Sequence, residues 1–167
     1  MNGLNAFPAI AGQLVATAAF AKWTQSPRVQ SHQAAFRCLT GLSFRMAAVG
    51  VQPQLHEIGN DFCAIIGGTA KGCAACRAVR ERVEQAVSKQ LGPVQFECAA
   101  GLIELAVPVL RSRQHVATLW SGQVFCRPPT AGDFSRAIAI VGDELDTGRQ
   151  RRASRAYFAT ATITRER

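Results

Sequence analysis

Six cysteines, Cys38, Cys63, Cys73, Cys76, Cys98 and Cys126, are the residues of this 167-residue chain whose chemistry is most open. Cys73 and Cys76 stand three apart at the expected start of a helix, so their thiols share one face. A helix N-terminus favours the thiolate, the form that binds metal. The spacing C-x9-C-x2-C-x21-C lacks the second close pair of a two-knuckle zinc site. A redox-active disulfide and simple packing as small hydrophobes are the other readings. Cys38 and Cys126 have no motif partner and read as core residues. None of His32, His56 and His115 has a neighbouring Cys or Asp that would suggest a triad, and no glycine loop could cradle a phosphate. The chain does not read as an enzyme.

Polar residues inside apolar runs are informative, because burying one unpaired costs about 1–3 kcal/mol. Glu104 lies between Ile103 and Leu105. Facing inward, it pairs with an arginine or meets a ligand hydroxyl; facing outward, it is an ordinary strand residue. Gln123 carries a donor and an acceptor on one amide, which suits alcohols and small carbonyl compounds. Trp120 and Phe125 either wall a pocket or fill a core. Gly101 and Gly122 flank the same strands, where a missing side chain permits a bulge or the close approach of a ligand. His115 opens the second strand and reads as solvated.

The elements that must position these residues follow from periodicity. Residues 103–111 and 116–125 are apolar runs joined by a short polar loop, the pattern of a β-hairpin. The runs are nearly continuous, so both faces are expected to be covered. Pro108 requires a local edge or a bulge. Residues 29–41, 58–66 and 73–91 predict helices, the last with Val79, Val83 and Val87 on one stripe and Arg80 and Glu84 as a surface pair. Residues 43–49 read as a strand and 94–98 as another short one. A helix from Thr130 or Asp133 to about Leu145 precedes an arginine-rich helix after Gly148. The sum is an α+β domain with about five strands.

Glu97-Cys98-Ala99-Ala100-Gly101-Leu102-Ile103-Glu104-Leu105, Pro108, the run from Val116 to Phe125, Phe62-Cys63 and Gly72-Cys73-Ala74-Ala75-Cys76 occur in the order of the PocR sensory domain. The chain resembles that family over roughly residues 35–126. The resemblance implies a PAS-like antiparallel sheet with flanking helices and a small-molecule ligand such as a short diol or related hydrocarbon derivative. Residues 29–146 are expected to form the sensory domain, 1–28 an N-terminal helical segment and 147–167 a basic connector helix. The ligand-binding residues expected are Cys98, Gly101, Glu104, Trp120, Gln123 and Phe125. The resemblance also implies that Cys63 and Cys98 lie near Cys73 and Cys76, where four thiols could hold zinc or an iron–sulfur cluster. A cysteine-based metal, iron–sulfur or redox sensor is therefore the alternative function. Relatives sit N-terminal to AraC-type DNA-binding domains, so DNA is expected as a partner only through an output domain absent from this chain. Such relatives commonly carry Cys-His-Ala-Gly-Leu, where this chain has Cys98-Ala99-Ala100-Gly101-Leu102. The missing imidazole weakens any transfer of chemistry that depends on it.

Composition narrows the partners. The formal charge is +8, but six arginines against Glu166 from Gly148 onward contribute +5, leaving +3 for the rest. A basic helix of this kind is a solvated face, a connector or a phosphate contact. No helix-turn-helix, ribonucleoprotein or zinc-finger pattern accompanies it. The apolar run Ala6–Ala21 lacks a positive flank and is too short to span a bilayer, so a cytoplasmic domain with no membrane partner is expected. A homodimer, with the first and last helices as the switch, is the assembly left open.

Overall fold

The computed structural model describes residues 20, 22–51 and 59–163. The run Ala6–Ala21, apart from Phe20, therefore lies outside the described residues, as does His56. The chain divides into two compact units, residues 1–41 and 42–167. In the first, helix α1 (Pro27–Thr40) starts at Ser26, whose hydroxyl accepts from the Val29 amide, and ends at left-handed Gly41. Cys38 on this helix is exposed, not core.

The second unit runs β1 (Phe44–Ala48), α2 (Asp61–Gly67), α3 (Ala70–Gln90), β2 (Val94–Glu97), β3 (Ile103–Arg111), β4 (Gln114–Val124), α4 (Ala131–Ala139) and α5 (Thr147–Phe158). The strands form one antiparallel sheet in the order β1-β4-β3-β2. Four strands, one fewer than expected, are present among the described residues. The architecture is the α+β, PAS-like one. Ser112 and Arg113 close the β3–β4 hairpin with both φ angles positive, the form whose twist matches the flanking strands. β2 pairs only as far along β3 as Ala106, so Pro108 lies where that side of β3 has no neighbour and its missing N–H costs no ladder bond. The Pro108 expectation holds. Both faces are not fully covered, however: Leu105 and Leu110 are exposed.

The helix stripe read from Val79, Val83 and Val87 packs on the sheet: Val83 and Val87 join Ala106 and Trp120 in one buried cluster, with Val79 and Phe96 against it. A second cluster gathers Phe62, Ile66, Leu102, Phe125, Ala137 and Tyr157. Tyr157 meets Phe62 and Phe125 edge-on at centroid distances of 4.8 and 4.9 Å, a favourable geometry for aromatic pairs. α5 is therefore amphipathic: Ala153 and Tyr157 are buried while Arg151, Arg152 and Arg155 are exposed. α4 begins at Thr130 with a reciprocal cap to Asp133 and ends earlier than expected, at Ala139, before a run of turns. Among the described residues no single helix is long and apolar enough to cross a membrane. α2 and α3 pass such a test only as a pair bent by 110°.

Candidate ligand-binding site

A small hollow lies where the two clusters meet. α2 supplies Phe62, Cys63 and Ile66; α3 supplies Cys76, Val79 and Arg80; the sheet supplies Phe96, Glu104 and Gln123; Cys98 and Ile140 complete the wall. It leaves about 20 Å³ for the centre of a water-sized sphere, room for one or two waters.

Glu104 faces inward, because the even positions of this part of β3 point toward α3. Its carboxylate accepts from Arg80 Nη2 at 3.3 Å, and both side chains are buried. The guanidinium carbon also lies 5.2 Å from the Trp120 ring centre, within cation–π range. Arg80 is thus not the surface partner of Glu84, whose carboxylate instead accepts from the Gly50 amide. Burial pushes the Glu104 pKa up, and Arg80 partly opposes the rise. Folding therefore takes up a proton just above the ordinary glutamate range, and stability falls as pH rises through that window. Glu104→Gln should flatten this slope in urea titrations run from pH 4.5 to 7.5; an unchanged slope would place its origin elsewhere.

Gln123 enters the hollow by an unusual route. Ile103 pairs with Val124 and Glu104 with Gly122, so Gln123 is the extra residue of a β-bulge. Its φ of 60° is left-handed, and Gly122 before it has φ 109°. The Gly122 expectation is met. Gln123 is 4% exposed, yet neither amide atom has a hydrogen-bond partner, and Arg80 Nη1 in the same wall also lacks one. Buried polar atoms without a protein partner are rare, and the residues of this one wall carry three of them.

The other expected residues divide. Cys98 lies in the wall with Glu104 and Gln123. Gly101 and Phe125 instead line a separate open cleft of about 390 Å³, beside Tyr157, Arg127 and Arg136. Trp120 lines neither space and belongs to the core, with its indole N–H unpartnered. His115 is not free in solvent: its ring nitrogens lie 2.8 Å from Ser88 Oγ and 2.9 Å from Thr118 Oγ1, tying α3 to β4.

The thiols do not assemble as a metal centre. Cys63, Cys76 and Cys98 share the wall, but Cys73 does not join them. Among the described residues no three His, Cys, Asp or Glu side chains are placed to hold an ion. Burial raises the pKa of Cys63 and of Cys76, and pushes Cys98 up to about 12, so burial disfavours the thiolate at each of the three. All six cysteines are free, and Cys126, like Cys38, is exposed.

Arg80, Asn60 and Phe62 were not singled out from the sequence as site residues. Arg80 had a usable signal: it stands three before Val83 and seven before Val87, on the buried stripe itself.

The molecule is thus an α+β module with a PAS-like sheet and inward polar groups around a small hollow. A family model described as the sensory domain found in PocR matches residues 24–165, nearly the whole chain, and the chain belongs to that family. Neither a curated protein nor a solved structure matched it.

Proposed function

We propose that this domain is the ligand-binding sensor of a bacterial transcriptional regulator, acting on DNA through an AraC-type output domain and working in the cytoplasm, as a homodimer. The ligand is a small neutral molecule, such as a short diol or related hydrocarbon derivative. One observation carries this reading: a buried carboxamide with its donor and acceptor both unmatched, inside an apolar wall. A hydroxyl or small carbonyl group supplies the complement of each. A carboxylate could pair with Arg80 Nη1 but would face Glu104 and leave Gln123 Oε1 without a donor, so a neutral group carrying both a donor and an acceptor matches more of the wall.

The hollow admits only one or two waters as it stands, so a guest of several heavy atoms requires an open form. That requirement supplies what a sensor needs, since a ligand shifts output only by binding one conformation better than another.

Thermal unfolding against a panel of short diols, alcohols, primary amides and carboxylates tests the proposal. A neutral compound at 100 times its Kd should stabilise by about 2.7 kcal/mol, and the carboxylates should do nothing. Gln123→Leu removes the unmatched amide at similar volume. The unliganded variant should gain about 1–3 kcal/mol and lose the response to every hit. A variant that still responds would remove the hollow as the site.

A further inference from the structure

The backbone that aims Gln123 into the hollow is held by one side chain. Asn60, the N-cap of α2, donates from Nδ2 to the Gln123 carbonyl at 3.2 Å and to Thr160 Oγ1 at 3.2 Å. Its Oδ1 accepts from the Cys63 amide at 3.0 Å, so the whole amide is engaged. Thr160 follows Ala159, the C-cap of α5, and donates back to the Ala156 carbonyl at 3.0 Å. The next residues return to the sheet: Phe125 N donates to Ala161 O at 2.9 Å, and Ile163 N to Phe125 O at 2.7 Å. The left-handed bulge, the start of α2 and the segment after α5 therefore converge on Asn60.

We propose that Asn60 is a positioning residue that couples the Gln123 bulge to residues 160–163, so that the state of the hollow sets how firmly that segment is held on the sheet. The functional half rests on the hollow being the ligand site; the coupling itself does not. Gln123 adopts a backbone form disfavoured for any residue with a Cβ, so a guest gripping its amide alters the bulge. The carbonyl held by Asn60 is the main-chain carbonyl of this same left-handed residue.

Asn60→Asp separates the two roles of the residue: a carboxylate oxygen keeps the cap to Cys63, and both donated bonds are lost. Gln123→Gly perturbs the bulge without any ligand. Amide hydrogen exchange at Ile163 is the readout, with Val87 in α3, fully buried, reporting global opening. Relative to Val87, Gln123→Gly should change Ile163 exchange about fivefold or more, and by under about twofold when made in Asn60→Asp. The coupling is refuted if Gln123→Gly leaves Ile163 unaltered, or if it acts equally with Asp at position 60. A ligand panel without a single hit would defeat the sensing reading and leave this cycle intact, so the two failures are distinguishable.

Discussion

Arg80→Met should destabilise the domain by about 3–5 kcal/mol at neutral pH, because it strands a buried carboxylate that had a guanidinium partner. Methionine keeps much of the length and packs on Trp120, so lost volume is a minor part of the effect. The origin of the loss is Glu104, whose pKa burial already raises and which Arg80 alone holds down by charge and hydrogen bond. In the variant that pKa should climb further and the carboxyl should protonate. Two consequences separate this account from a generic core defect. Most of the lost stability should return as pH falls from 7.5 toward 5, since a neutral Glu104 no longer needs its partner. Arg80→Met combined with Glu104→Gln should be more stable at pH 7.5 than Arg80→Met alone, because no charge is then left buried. Urea unfolding of the four proteins at both pH values measures each term. A pH-independent loss, or a double variant no better than the single one, would show that Arg80 acts by packing.

The pair also shows what the sequence could and could not convey. Glu104 stood out because it interrupts an apolar strand, and of its two inward readings the arginine partner is the one found: Arg80 binds it, and both line the hollow. Arg80 was hidden because an i,i+4 acid, Glu84, offered a sufficient local explanation, and local pairing says nothing about which helix face meets the sheet. The α3 stripe was legible because three valines at four-residue spacing leave few alternatives. The thiol cluster was half legible. Cys63, Cys76 and Cys98 do converge, but their burial opposes the thiolate that a helix end favours, and burial is not visible in the spacing. Gly101 and Phe125 illustrate the reverse case. They lie in the same sequence motifs as Cys98 and Gln123 yet line a different space: Gly101 sits in the turn after Cys98, and the bulge at Gln123 breaks the regular alternation of the strand before Phe125. Asn60 could be read from sequence only as a helix cap for Cys63, since its other partners are 63 and 100 positions away.

Gly122→Ala should be the most damaging small substitution on the sheet. A Cβ at this position would lie 2.7 Å from the Ile103 carbonyl oxygen and 2.9 Å from Glu104 Cα, both backbone atoms that no rotamer change can move. Its φ of 109° is also one that residues with a Cβ rarely adopt. The conformational strain alone is worth about 1–3 kcal/mol, and the backbone clash adds to it, so a total of about 3 kcal/mol or more is expected. The protein can escape only by straightening the bulge, which would draw Gln123 into register with β3 and, by the period-two rule, turn neighbouring side chains over. Loss of stability and loss of ligand response should therefore appear together in this variant, whereas Gln123→Leu separates them. Gly101→Ala is the matched control. Its φ is likewise positive, at 80°, but the nearest atom to an added Cβ is the Tyr157 hydroxyl at 3.7 Å, so only the strain remains. Chemical denaturation of the two alanine variants should place Gly122→Ala at least about 1 kcal/mol below Gly101→Ala, the difference being the clash. Equal losses would mean that β4 yields at Gly122, and that the bulge is too soft to hold Gln123 in place.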